Sequence, residues 1–222
     1  MKQMEKMRRI INLNVEFTPR QELIHSYLHG LGVLFGLFAI PVLFSFVTTK
    51  DIPYLLSCAL YSFGFIMTFT CSTLFHYAKK PRIKNTFKLL DYISIYLLIA
   101  GTYTALIVNY MFNDSGLYLL YAVWILAVTG ILSKILLPRI QEIISIAFYL
   151  FLGLMFLFVR EPFFLAMPFE ISMLIIWGVV FYCSGVIFYL WRNWWYHHAV
   201  WHLLVLIGGL CHFYAIFLTF KG

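Results

Sequence analysis

The residues best suited to chemistry are two histidines four positions apart, in His198-Ala-Val-Trp-His202. On a helix that spacing puts both imidazoles on one face, with Cβ atoms about 5–6 Å apart. Such a pair suits two ligands of one tetrahedral zinc ion. His76, arriving from another apolar segment, can supply a third. Three histidines with a fourth position open to water make the catalytic kind of zinc site, whereas structural sites are closed by four protein ligands. Ser72 stands one helical turn before His76, so its hydroxyl is expected in the same pocket. Asp91 follows the basic loop 79–88 and is expected to hold the bound water or to orient a ligand imidazole from behind.

Other polar residues near these have plainer readings. Glu22, His25 and His29 are spaced by three and four, one stripe of a helix, and read as a supporting polar network around the pocket. His197 turns away from the 198/202 face and joins Trp191, Trp194, Trp195 and Tyr196 in an interfacial aromatic belt. His212 lies ten residues, about 15 Å, beyond His202. It is too deep for the same metal and is expected inside the helix bundle or on a polar path. Tyr92, Tyr96 and Tyr103 follow Asp91 as a packing stripe, and Gly32 and Gly36 can let two helices approach closely.

The elements that position these residues follow from composition. Of 222 residues, 63% are hydrophobic and 11% charged, against about 25% charged in soluble domains. A water-soluble surface, a disordered chain and a coiled coil are all excluded. Seven apolar runs can be drawn, at about 25–48, 53–77, 89–111, 116–137, 141–159, 165–190 and 199–220. Each is near the ~20 residues that a membrane-crossing helix needs. Helices are implied because backbone groups in lipid must be satisfied internally. The expectation is an all-α seven-helix bundle over 25–222, preceded by a cytosolic lead-in over 1–24. The lead-in does not read as a cleaved signal peptide, since Arg8 and Arg9 are followed by Asn12, Asn14, Glu16 and Pro19.

Basic residues set the orientation. With the N-terminus in the cytosol, the cytosolic segments hold thirteen: Lys2, Lys6, Arg8, Arg9, Arg20, Lys79, Lys80, Arg82, Lys84, Lys88, Lys134, Arg139 and Arg192. The far side holds three, Lys50, Arg160 and Lys221. This bias accounts for the net charge of +7 without a nucleic-acid partner. The resulting N-in, C-out topology is opposite to that of G-protein-coupled receptors. The last run also lacks the lysine that a retinal Schiff base requires. Cys58, Cys71, Cys183 and Cys211 lie in apolar runs without CxxC spacing and read as small buried residues. No obligate protein partner is implied.

Taken together, Ser72-Thr-Leu-Phe-His76, Leu89-Leu90-Asp91, Ile95-Tyr-Leu-Leu-Ile-Ala-Gly-Thr-Tyr-Thr104, and His198-xxx-His202 followed by Gly208 and His212 resemble the hemolysin III family. Glu22 and His29 match its start. The family belongs with the progestin and adiponectin Q receptors and, more distantly, the alkaline ceramidases. The resemblance runs from Glu22 to His212 and implies seven helices with a cytosolic N-terminus. It places zinc ligands on His76, His198 and His202, with Ser72 and Asp91 as accompanying polar positions. Ala199 departs from a frequent Glu, Ala105 from a Pro and Tyr92 from a His. The ligand set is intact, but an acid or base role at position 199 is not. Three functions follow as expectations: a zinc-dependent hydrolase of membrane-lipid amides or esters, a non-enzymatic sensor of membrane state with structural zinc, or the cytolytic role in the family's name. A bacterial cytoplasmic membrane is the expected location.

Overall fold

The computed structural model describes residues 17–47, 51–137 and 142–222. Most of the N-terminal lead-in (1–16), together with Lys50 and Arg139, lies outside the described residues.

Helix α1 (Pro19–Ser45) begins with a capping box. Thr18 accepts from the Gln21 backbone amide, while the Gln21 side chain accepts from that of Thr18, and Pro19 occupies the first turn. The helix therefore starts before the apolar run does, and Glu22 and His25 ride on its first two turns. Prolines likewise open α2 (Ile52–Tyr77) and α3 (Pro81–Tyr110), so the polar stretch up to Asp91 is helical as well. Asn113 caps α4 (Asp114–Leu136) by accepting from the Gly116 amide. Next come α5 (Glu142–Gly153), a 3₁₀ turn (Met155–Val159) and the short α6 (Arg160–Leu165). Finally α7 (Phe169–Leu190) starts after Pro168, and α8 is His197–Lys221.

Six of these helices, α1 to α4, α7 and α8, are long and apolar enough to cross a membrane. The protein is an all-α, multi-pass integral membrane protein. The apolar stretch 141–159 is not one long helix, because the α-helix ends at Gly153 and continues as a 3₁₀ turn. Tyr103 makes this break tolerable in an apolar setting. Its hydroxyl donates to the Gly153 carbonyl (3.1 Å) and accepts from the Phe156 amide (3.0 Å), so both backbone groups are satisfied.

α1 packs on α2 and α8, and α3 is enclosed by α2, α4 and α8, with α7 against α8. Leu31, Phe38, Phe63, Ile125 and Ile187 point outward, as lipid permits. Tyr61, Phe65 and Phe69 of α2, Tyr96 and Ile107 of α3, and Phe213 and Ile216 of α8 fill the interior. α2 and α3 touch backbone to backbone. A Cβ at Gly64 would stand 2.7 Å from Leu98 Cα, and one at Gly101 would stand 2.9 Å from Tyr61 Cα. Gly32 of α1 admits the Phe69 ring in the same way. This close packing at small residues is a usual way for membrane helices to associate.

Candidate metal centre

Four helix ends converge where α1, α3 and α8 begin and α2 finishes. Two side-chain anchors hold α1 in place there. Gln21 donates to the Trp195 carbonyl (2.8 Å), and Ser26 donates to the Thr73 carbonyl (3.1 Å). The first ties α1 to the turn before α8, and the second ties it to α2. Between these anchors, α1 presents His25 and, one turn on, His29.

His25, His76, His198 and His202 each offer one ring nitrogen, and the four lie within 4.8 Å of one another. Ring centroids are 4.8 Å apart for His76 and His202, 4.5 Å for His198 and His202, and 4.7 Å for His25 and His198. The i, i+4 pair on α8 meets His76 of α2 as the spacing implied. His25, read from sequence as part of the surrounding network, stands among them. Phe17 covers the group, edge-on to His25 with centroids 4.8 Å apart and tilted over His198 at 4.5 Å.

The back sides of two imidazoles are fixed. His76 Nδ1 is 2.6 Å from Glu22 Oε2, and Lys84 Nζ holds the other carboxylate oxygen at 2.7 Å. His202 Nδ1 is 2.8 Å from His29 Nε2. With Nδ1–H donated to Glu22, His76 keeps a lone pair on Nε2, which faces His202 Nε2 at 3.0 Å. In the tautomer in which His202 donates to His29, its Nε2 is an acceptor too and a cation would sit between the two lone pairs; in the opposite tautomer His202 Nε2–H donates to His76. In a tetrahedral zinc site with Zn–N bonds of about 2.0–2.1 Å, ligand nitrogens lie roughly 3.3 Å apart. The observed separation is close to that. A carboxylate behind a ligand histidine is the usual arrangement at protein metal sites. The donor set therefore fits a nitrogen-liganded ion such as zinc. Among the described residues, no Cys, Asp or Glu joins the group.

The remaining sequence candidates fall into two places. Ser72 is buried beside Asp91, and its Oγ makes no hydrogen bond of good geometry. Asp91 lines a cavity that also reaches His76, His198 and His202. The carboxylate seated on an imidazole of the cluster is that of Glu22. His212 lies outside the cluster. Its Nε2–H donates to the Ile175 carbonyl at 3.1 Å, and the ring sits where any Cβ on Gly178 would be. His197 is buried in the cavity wall.

Sequence reasoning gave Lys84 and Phe17 no part in the site. Lys84 counted only as a topogenic charge, and no local spacing joins it to Glu22, 62 residues away. A signal for His25 did exist: His25 and His29 have the same four-residue spacing as His198 and His202.

The cavity has a volume of about 680 Å³ and runs between α3, α5, α7 and α8. Ile99, Leu106, Leu150, Val179 and Val205 give it apolar walls. Lys84, Asn85, Lys88 and Arg192 also line it.

A family model described as "Haemolysin-III related" matches residues 17–213. The chain is 30% identical over 201 residues to the "Hemolysin-3 homolog" of Bacillus subtilis (strain 168), covering 90% of this chain and 94% of that one. It is 29% identical over 198 residues to "Hemolysin-3" of Bacillus cereus, covering 89% and 90%. Similarity extends to the human "Monocyte to macrophage differentiation factor", at 25% over 167 residues, or 71% of this chain and 67% of that one. The match takes in every residue of the histidine cluster, and the chain belongs to the haemolysin-III related family.

Proposed function

We propose that this protein is a zinc-dependent hydrolase acting on an amide or ester of a membrane lipid. The observation that carries the reading is the opening of the histidine cluster onto a large, mostly apolar cavity at the level of the helix ends. A volume of about 680 Å³ falls in the range of pockets that enclose a small molecule. A scissile group placed at the cluster would leave its acyl chain in the bundle, between α3, α7 and α8.

The proposed topology has seven crossings, a cytosolic N-terminus and the cluster at the cytosolic face. The stretch Ile143–Val159 would supply the seventh crossing. As α-helix followed by 3₁₀ turn it extends about 28 Å, close to the ~30 Å of a bilayer core. The excess of Lys and Arg near α1, the α2–α3 connection and the α7–α8 connection supports this orientation. The setting fits a bacterial cytoplasmic membrane.

In this reading His76, His198 and His202 hold the ion, which supplies Lewis acidity and a nucleophile at neutral pH. Glu22 keeps His76 in the tautomer that offers Nε2, and Lys84 holds the other Glu22 oxygen in place. His29 does the same service for His202. Asp91 takes a proton from the attacking water and returns it to the leaving group, and the Ser72 hydroxyl donates to the developing oxyanion.

A structural-zinc reading is favoured by one observation, the convergence of four imidazoles where a catalytic site needs three and an opening. Metal content of the detergent-purified protein, with ceramide and phospholipid hydrolysis before and after chelation, decides between them. One zinc per chain with chelator-sensitive turnover supports the hydrolase, and Asp91→Asn should then keep the metal while losing about 10²–10⁴-fold in rate. One zinc without turnover on any lipid supports the structural role. A metal-free protein refutes both.

A further inference from the structure

We infer that His25 is a fourth, exchangeable metal ligand, and that water or substrate reaches the ion only by displacing it. The inference rests on the reading that the cluster holds zinc. It concerns which of the chain's own atoms complete the coordination, and so whether the resting site is closed.

Three observations place His25 in this role. Its donor nitrogen belongs to the same group as those of His76, His198 and His202, all within 4.8 Å. Its ring centroid lies 4.9, 4.7 and 5.1 Å from theirs, respectively, so it is as near to each as they are to one another. Its backbone is fixed on both sides, by Gln21 on the Trp195 carbonyl and by Ser26 on the Thr73 carbonyl.

The manner of its holding makes it the exchangeable member. His76 is clamped by Glu22 and His202 by His29, and His198, whose ring has no such partner among the described residues, is held as the i, i+4 companion of His202 on the same helix. His25 Nδ1 is buried and has no hydrogen-bond partner. An imidazole whose orientation no second hydrogen bond sets is a poorer and more mobile ligand. Its companion one turn along α1 is spent on His202, so His29 cannot take its place. Ligand exchange at His25 would therefore open the coordination position that the hydrolytic reading needs, without moving α2 or α8. Nothing is oxidised or reduced in the exchange: a neutral imidazole leaves the ion and a neutral water enters.

The test uses the full-length protein in detergent, loaded with Zn²⁺ for X-ray absorption and with Co²⁺ for optical titration. The wild type should show four nitrogen ligands with imidazole outer-shell scattering. His25→Ala should show three nitrogens and one oxygen, and should lose zinc at least about tenfold more readily, since even partners outside the coordination shell contribute 10–100-fold. Azide should shift the ligand-field bands of cobalt-loaded His25→Ala at a concentration at least tenfold below that needed for the wild type. His29→Ala should keep four nitrogens. If the wild type has three nitrogens and one oxygen, or binds azide as readily as His25→Ala, the assignment of His25 is wrong while the zinc reading stands. If the wild type holds no metal, both are wrong.

Discussion

Replacing Glu22 by Gln perturbs one contact and leaves the shape of the site intact. The Glu22 carboxylate accepts from His76 Nδ1 at 2.6 Å, short enough for a strong charge-assisted hydrogen bond. A carboxylate there fixes the ring and raises the basicity of Nε2. Losing such a partner at a metal-ligating histidine reduces affinity about 10–100-fold, or roughly 1.4–2.8 kcal/mol. The neutral amide still accepts one hydrogen bond, so the effect should fall near the lower end of that range. Lys84 on the other carboxylate oxygen is a weaker contributor. Its side chain is 29% exposed and that of Glu22 is 18% exposed, and an ion pair so placed contributes at most about 1 kcal/mol. Lys84→Ala should therefore weaken zinc by less than about fivefold. The assay is competition for Zn²⁺ against a chromophoric chelator in detergent, with circular dichroism as a check on folding. Zinc affinity within twofold of the wild type in a folded Glu22→Gln protein would refute the positioning role. A Lys84→Ala loss as large as that of Glu22→Gln would show that the charge, not the orientation of His76, matters.

Other outcomes follow from the same geometry. His198→Ala and His202→Ala should each lower zinc affinity by more than about 100-fold, whereas His212→Ala should leave it unchanged; these are read by metal content after dialysis. Tyr103→Phe removes the donor and acceptor that satisfy Gly153 and Phe156, and should destabilise the protein by about 1–3 kcal/mol in a detergent unfolding titration, with zinc retained. Gly101→Ala forces a methyl against Leu60 and Tyr61 backbone of α2, and should cost about 1–3 kcal/mol, since backbone cannot step aside as a side chain can. An unchanged midpoint would mean that α2 and α3 separate more easily than their contact implies.

The composition and local spacing of the chain were enough to establish an all-helical membrane protein and to point to a group of histidines near the helix ends. Apolar fraction decides the solvent, and the requirement for internal hydrogen bonds in lipid then decides the helix. The pairing of His198 with His202 was equally legible, because four residues on one helix bring two side chains together whatever surrounds them. Helix boundaries were less so. Apolar runs report where side chains become greasy, while Thr18 and Pro19 mark where the backbone begins to bond to itself, and so the first and third helices start at Pro19 and Pro81, six and eight residues ahead of the apolar runs they carry. The break after Gly153 depends on the Tyr103 hydroxyl arriving from α3, fifty residues earlier. Partnership across helices was decided only by tertiary packing. Glu22 and Asp91 are both carboxylates on helix ends, and spacing cannot tell which of them backs His76. Nor can it divide His25 from His29, which share a stripe yet turn to different partners. Helical periodicity specifies the face a side chain occupies. What stands opposite depends on how α1 is rotated and pinned against α2 and α8, and those contacts join residues 47 and 174 positions apart.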